Sequence, residues 1–282
     1  KLGIDPPAAS KEYDTGRGFV TFPEDGSEPI ILPYRAGSAG LGIEHSELVA
    51  SIRQTAIDHD GVTYLPGARA EEIVGQTLTY SLKRHAGPYA MVADRIVGAD
   101  GRGSFSRKAL GLEDTSITCA RMAGLLLDDT EVPFQGYGHV FLGGPGPMLC
   151  YRILPDKVRL ILDVPMRYSR GPKGRETWLW EAFSPALPES LRPAFRRALA
   201  AGGLQWAKAN VRRRASMGRR GFALVGDAVG HYHPLTAAGM SLGFGDALEL
   251  AESPSFQQYR LRRQRATRVP EMLAVALYEV FT

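Results

Sequence analysis

The sequence predicts an α/β protein of two domains, one of them built on a β-sheet. Three observations carry that prediction. An apolar run, Phe222–Val225, is followed by Gly226–Asp227, a proline-containing loop and a helix opened by the small residues Ala237, Ala238 and Gly239. A second strand-like run, Arg95–Ala99, leads through Asp100–Gly101–Arg102–Gly103 into a short helix. Between these two strand–turn–helix units lies Gly111–Val211, rich in strand formers. Short apolar runs feeding a turn and a helix are the units of α/β domains, and period-two alternation marks a half-buried strand.

In chain order, residues 1–42 carry extended runs separated by Pro and Gly, among them TGRGFVTF and PIILPY at Pro29–Tyr34. Ser46–Asp58 predicts an amphipathic helix, with Leu48, Val49, Ile52, Ala56 and Ile57 on one face and Gly61 just beyond its end. Val62–Tyr64 and Leu78–Arg84 predict strands, and Gly75–Gln76–Thr77 joins two strand-like runs abruptly. Ser104–Leu110 predicts a helix stopped by Gly111. Within Gly111–Val211, residues Val140, Phe141, Leu149, Tyr151, Ile153, Val158, Leu160 and Leu162 fall at near-alternate positions, and a helix is expected near Leu191–Ala200. Helix Gly239–Ala251 follows the Gly-Asp loop. The final helix, Ser255–Phe281, is expected to bend or break at Pro270, whose ring removes a backbone donor. The path leaves one domain near residue 110 and returns near 212. The expected domains are therefore 1–110 with 212–254, then 111–211, with a helical segment at 255–282.

The segment Gly226–Met240, GDAVGHYHPLTAAGM, carries the chemistry. Asp227, at a strand end, accepts hydrogen bonds from sugar-like hydroxyls. Gly239 lets backbone approach a ring closely. A helix N-terminus offers N–H groups and partial positive charge to an anion. Such a set suits a large planar ligand with hydroxyls and a polar ring edge. The segment resembles the second flavin-binding motif of FAD-dependent aromatic-ring hydroxylases. HPLTAAGM is similar above all to squalene monooxygenases (squalene epoxidases), where HPLTGGGM is expected.

The resemblance implies an FAD-dependent hydroxylase-like two-domain fold, α/β with an α+β substrate lobe. It implies that Asp227 contacts the ribityl chain and that the loop from Pro234 lies against the isoalloxazine ring. Gly226, Pro234, Ala237, Ala238, Gly239 and Met240 would then surround the cofactor. Asp100, in GADGRGS, resembles the family's Asp-Gly motif near the pyrophosphate and ribityl region, and Arg107 matches the basic residue that follows it. His45 stands three residues before Leu48, where many relatives carry a flavin-contacting Arg; it is either a cofactor contact or a surface histidine at a helix start. Glu47 stands where squalene monooxygenases place a basic contact, a departure.

The likeness extends over most of the chain. TGRGFVTF with PIILPY, the run Ile43–Ala56, Gly146–Pro165, Leu187–Leu199 and Met272–Phe281 occur in the family's order. The family's opening strand, G-x-G-x-x-G turn and helix, which take the pyrophosphate and adenosine, have no counterpart here. Lys1–Leu2–Gly3–Ile4 resembles a position well inside the first domain. The expectation is thus a chain shortened at its N-terminus, with loops missing near Gly75, that carries the flavin-ring side and the substrate side.

Composition fits a globular protein: 282 residues, 44% hydrophobic. No uninterrupted apolar run reaches membrane-spanning length. Cys119 and Cys150 lack metal-ligand spacing and stand in apolar, strand-like surroundings, which reads as buried thiols and favours a cytoplasmic location. The net charge of +4 is uneven: Arg212–Arg214, Arg219, Arg220 and Arg260, Arg262, Arg263, Arg265, Arg268 crowd the C-terminal third. They read as a solvated helix face or as peripheral contact with an anionic membrane. Without aromatic interleaving or a known module they do not indicate nucleic acid. His231 and His233 with Asp227 lack a further ligand for a metal site, and one of the two rings is expected to line the flavin pocket.

The resemblance implies an FAD monooxygenase that passes one oxygen atom from a C4a-hydroperoxyflavin to a squalene-like alkene or an activated ring. The resemblance also implies NAD(P)H as the electron source, directly or through a flavin reductase. The substrate implied is a lipophilic small molecule, expected beneath strands of Gly138–Pro165 and near His233, Leu235, Tyr151 and Phe141; Tyr34, Phe141, Tyr151 and Phe244 either line that apolar pocket or pack in the core, the better default for aromatic side chains. No side chain is needed as nucleophile. Two other readings stand beside it: a related prenyl reductase or halogenase, although Trp178–Leu179–Trp180 lacks the rest of the W-x-W-x-I signature, and a non-enzymatic fragment unable to hold FAD alone.

Overall fold

The computed structural model describes residues 15–83, 85, 87–128, 130–168 and 175–281; Lys1–Ile4 lies outside them. The chain begins with strands β1 (Thr15–Gly16), β2 (Gly18–Phe22), β3 (Ile30–Pro33) and β4 (Gly40–Leu41), then helix α1 (His45–Ile57). Strands β5 (Ala68–Val74), β6 (Thr77–Leu82), β7 (Pro88–Val92) and β8 (Ile96–Gly98) lead to α2 (Phe105–Ala109). Then come β9 (Ile117–Asp128), β10 (Tyr137–Phe141), β11 (Met148–Leu154), β12 (Lys157–Pro165), α3 (Arg175–Phe183), α4 (Arg192–Ala200) and β13 (Gln205–Val211). The chain ends with β14 (Gly218–Arg219), β15 (Phe222–Leu224), α5 (Gly239–Glu252) and α6 (Phe256–Phe281). It divides into two compact units, one taking in residues up to Val62 with Thr118–Ala209, the other Thr63–Ile117 with Asn210–Val280.

The first unit is built on a seven-stranded sheet in the order β13-β9-β12-β11-β10-β2-β3. The long antiparallel pair β9–β12 runs from Lys157 opposite Asp128 to Pro165 opposite Ala120. Alternation along these strands decides the core face: Ala123, Leu125 and Leu127 of β9 and Val158, Leu160 and Leu162 of β12 are all buried. They pack in one cluster with Leu179 and Phe183 of α3 and with Ala194, Phe195 and Leu199 of α4. The sheet expected in Gly111–Val211 is therefore present, with α4 where it was expected. Helix α3 was not expected; its short RETWLWEAF run has no regular apolar stripe, and packing on the sheet rather than periodicity makes it a helix. Residues of β2 and β3, expected in the cofactor lobe, join this sheet instead, with β2 parallel to β10 and Val20 opposite His139. Cys150 is buried as expected, and burial pushes its thiol up to about 12; Cys119 is only half-buried.

The second unit contains a three-stranded sheet, β14-β15-β8, in which β15 and β8 run parallel with Leu224 opposite Gly98. A separate antiparallel sheet joins β5, β6 and β7. The abrupt Gly75–Gln76 junction is a two-residue hairpin turn between Val74 and Thr77, with Gly75 at φ 62°, a conformation glycine adopts without steric cost. Val62–Tyr64 is not a strand, and Val62 and Tyr64 are exposed. Met217, Phe222, Leu224, Val225, Val229, Leu250 and Tyr259 form this unit's core, and the Tyr259 hydroxyl donates to the Leu224 carbonyl at 2.7 Å. Helix α6 runs unbroken through Pro270. Buried Thr267 and Ala274, on either side of the proline, anchor both halves of the helix against the unit and outweigh the lost backbone bond.

Candidate flavin site

The Gly-Asp motif is built within the second unit. Strand β15 and extended Val225 end at a single helical turn, Gly226–Ala228, where Gly226 takes φ 62°. A left-handed residue here reverses the chain at low cost only because it is glycine. His231 then forms an isolated antiparallel bridge with Arg212, exchanging backbone hydrogen bonds of 2.8 and 2.9 Å. A second short turn, Pro234–Thr236, starts at His233, whose Nδ1 accepts from the Leu235 amide at 3.3 Å. Ala237 follows in the left-handed conformation, φ 49°, alone among non-glycine residues described. An L-residue there carries about 1–2 kcal/mol of strain, which the glycine of HPLTGGGM would lack. Helix α5 begins at Gly239 after Ala238, which has no side chain able to cap the first N–H groups.

The Asp-Gly motif sits in the same unit. Asp100 accepts from the Ser104 hydroxyl at 2.6 Å and from the Ser106 amide at 2.7 Å. Ser104 caps α2 by accepting from the Arg107 amide at 3.0 Å. Burial pushes the Asp100 carboxyl upward, but the bonds from Ser104 and Ser106 together outweigh it and hold the group below its usual value. Strand β8 and α2 touch closely: a Cβ on Gly98 would stand 2.4 Å from Ser106 Cβ.

Three buried arginines bind the two motifs into one body. Arg214 donates to the carbonyls of Gly226 and Gly230 at 3.4 Å, and Arg212 to that of Asp227 at 2.8 Å. Arg107 donates to Ala228 and Val229 at 3.3 and 3.4 Å. Every carbonyl from Gly226 to Gly230 thus meets a guanidinium. Arg214 also meets the wholly buried Asp246, which accepts from Arg263 Nε at 2.8 Å and from the Gly226 amide at 2.8 Å. Arg212, Arg214 and Arg263 are therefore not part of a solvated face, as expected from sequence, while Arg213, Arg219, Arg220, Arg260, Arg262, Arg265 and Arg268 are exposed. Two signals could have separated them. Arg212 and Arg214 alternate in extended chain, so they share a face. Asp246 lies on the Leu242–Asp246–Leu250 stripe, where an acid signals a buried partner.

Gly226, Asp227, Pro234, Leu235, Ala237, Ala238, Gly239, Met240, His233 and Asp100 all fall in this one unit. Asp227 is partly exposed and pairs with Arg102 at 3.2 Å. His233 is 1% exposed and its ring lies 4.5 Å from that of Tyr278, so it packs rather than faces a cavity. His231 is also buried, and burial, with Arg212 and Arg102 beside it, lowers its pKa. His45, Tyr151 and Phe141 belong to the other unit. His45 is the first residue of α1, and Tyr151 is half-buried on β11. Phe141 is fully buried in the sheet core, 4.8 Å from the Phe22 ring, and completes that core instead of lining a pocket.

The turn fits a flavin's sugar-like chain and ring. A Cβ added at Gly239 would meet one atom within 4 Å, Asp227 Oδ1 at 4.0 Å, so the space above the α5 N-terminus is open and bordered by a carboxylate. The comparison with known proteins gives the same direction. The sequence profile of the squalene epoxidase family matches residues 92–282, which include both motifs. The chain belongs to the squalene epoxidase family. It is 25% identical over 295 residues to mouse squalene monooxygenase, covering 94% of this chain and 50% of that protein. It is 32% identical over 204 residues to a squalene epoxidase of Aspergillus fumigatus, covering 66% of this chain and 42% of that protein. The chain thus spans about half the length of these relatives. Among solved structures, a triple mutant of the flavin-dependent brominase Bmp2 is similar over 97% of this chain and 73% of its own, with a TM-score of 0.76 and 14% identity, a likeness of fold.

Proposed function

We propose that this chain is the flavin-ring and substrate part of an FAD-dependent monooxygenase that epoxidises a lipophilic, squalene-like alkene. The observation that carries the reading is the Asp227 carboxylate beside the open, glycine-started N-terminus of α5, within a family match covering both motifs. When bound, FAD supplies the activation of dioxygen, with NAD(P)H as the electron source, directly or through a reductase. The balance is alkene, dioxygen, two electrons and two protons going to epoxide and water.

The chain's own residues bind and orient. Asp227, now paired with Arg102, would accept hydrogen bonds from the ribityl hydroxyls. Pro234–Gly239 would hold the flavin ring, and the uncapped amides of α5 would stabilise negative charge developing on it. Asp100 holds the Asp-Gly turn in shape for the ribityl and pyrophosphate region. Exposed Val269, Met272, Leu273, Leu277 and Val280 of α6, with the arginines before them, support peripheral contact with a lipid surface, where such a substrate dissolves. Among the described residues no helix is long and apolar enough to cross a membrane.

The halogenase alternative gains nothing from Trp178–Leu179–Trp180. Leu179 is fully buried in the sheet core and both tryptophans pack against it. The test uses the full-length protein with FAD, NADPH, a flavin reductase and labelled dioxygen on squalene. One labelled oxygen atom in an epoxide supports the reading. Saturation of a double bond without label favours a reductase, and a protein that takes up no flavin removes the reading.

A further inference from the structure

Asp246, Arg214 and Arg263 lie behind the Gly226–Asp227 turn and take no part in the flavin contacts proposed above. Asp246 is 0% exposed, two turns into α5, between Leu242 and Leu250 on the buried stripe. Its Oδ2 accepts from the Gly226 amide at 2.8 Å and from Arg214, and its Oδ1 accepts from Arg263 Nε at 2.8 Å. Arg214 turns its other terminal nitrogen to the Gly226 and Gly230 carbonyls, and its Nε stands 3.7 Å from Glu271 Oε1. Arg263 also donates to the Leu242 carbonyl at 3.1 Å. Two acids thus balance two guanidiniums.

Burying such a set is costly, and an apolar residue at the same place would pack α5 at least as well. What an apolar residue cannot do is grip a peptide group. The cluster grips two: the N–H of Gly226 through Asp246 and the C=O of Gly226 through Arg214. These are the peptide planes on either side of a glycine at φ 62°, the residue with the widest backbone freedom in the turn. Asp227 is the next residue, so the orientation of those planes sets where its carboxylate points.

We infer that Asp246 is a positioning residue for the flavin: with Arg214 and Arg263 it locks both peptide planes at Gly226 and so fixes the direction in which Asp227 meets the ribityl hydroxyls. The inference rests on the flavin reading of Asp227. Its signature is dependence. A residue that acts through Asp227 loses its influence on flavin once Asp227 is gone, whereas a residue that only supports the fold does not.

The experiment is FAD titration of the full-length protein by fluorescence quenching, with visible circular dichroism of the bound flavin and thermal unfolding of each flavin-free variant. Asp246→Asn is compared in the wild-type background and in Asp227→Asn. The expected result is about tenfold weaker FAD binding and an altered flavin dichroism in the wild-type background, but less than about a twofold change beside Asp227→Asn. Equal losses in both backgrounds, or unchanged binding, overturn the inference. If Asp246→Asn does not fold, Arg263→Lys, which keeps the charge but loses the Nε donor, goes through the same cycle with the same criteria. A wild-type protein that binds no FAD overturns the flavin reading and this inference with it; a wild type that binds FAD without coupling to Asp227 overturns this inference alone.

Discussion

Arg107 leaves the Asp-Gly helix and ends on the Gly-Asp turn: one guanidinium nitrogen donates to the Ala228 carbonyl at 3.3 Å and to Val229 at 3.4 Å, the other to Glu113 at 3.1 Å. Two motifs far apart in sequence are thereby one rigid body. Burial, and next the nearby Arg212, lower the pKa of Arg107, yet a guanidinium stays charged in a protein. The three carbonyls are its compensation for leaving water.

Arg107→Ala strips those carbonyls of a charged donor in a buried place. The expected loss is about 2–4 kcal/mol, read as a lower urea midpoint. Arg107→Lys should recover only part of it, because an ammonium cannot fork to three acceptors in two directions.

Asp227→Ala should separate ligand binding from folding. The pair with Arg102 is partly solvent-exposed on both sides, and such pairs contribute less than about 1 kcal/mol. The variant should keep its unfolding midpoint nearly unchanged and lose most of its flavin, measured by absorbance of the purified full-length protein. Retained flavin would remove Asp227 from the site.

The strand–turn–helix units at both motifs were legible because each is local: an apolar run, a short acceptor at its end, small residues at a helix start. The sheet in Gly111–Val211 was legible from alternation, with Val158, Leu160 and Leu162 buried as the period demands. What sequence did not show is what distance decides. Arg212, Arg214 and Arg263 resemble any surface arginines until Asp246 and the Gly226–Gly230 carbonyls are placed around them. Phe141 and His233 were named beside an apolar pocket, with core packing the default for Phe141; both are buried, Phe141 in the sheet core. The placement of β2 beside β10 is a parallel pairing across a long loop, for which local sequence carries no signal.

The sheet unit should lose stability in mildly acid solution through His139. It is 0% exposed; its Nε2 accepts from the Phe134 amide at 3.1 Å and its Nδ1 donates to the Cys150 carbonyl at 3.3 Å, which requires the neutral ring. Burial lowers its pKa to about 4, only partly opposed by the Cys150 carbonyl. The unfolded chain takes up this proton near its ordinary pKa and the folded one far lower. The stabilisation is complete above about pH 6.5 and drains away as pH falls toward 4, by about 3 kcal/mol in all. Urea unfolding across that window should show the slope, and His139→Phe should flatten it while lowering stability at neutral pH.

Two glycines give opposite expectations for the same added methyl group. At Gly98 a Cβ would stand 2.4 Å from Ser106 Cβ and 2.8 Å from Leu224 Cδ2, both in packed surroundings between β8, α2 and β15. Gly98→Ala must push α2 or β15 aside, at a cost of about 1–3 kcal/mol, seen as a lower unfolding temperature with or without flavin. At Gly239, beyond its chain neighbours and the helix's own backbone, a new Cβ would meet only Asp227 Oδ1, at 4.0 Å, an ordinary contact, and φ there is helical. Gly239→Ala should therefore leave the flavin-free protein as stable as before, or slightly more so through the better helix propensity of alanine, worth up to about 1 kcal/mol. The methyl group would instead stand in the space assigned to the ring. FAD affinity should fall with Ala and fall further with Val, at constant fold. Unimpaired flavin binding by Gly239→Val would mean that the space beside Asp227 is not where the ring lies.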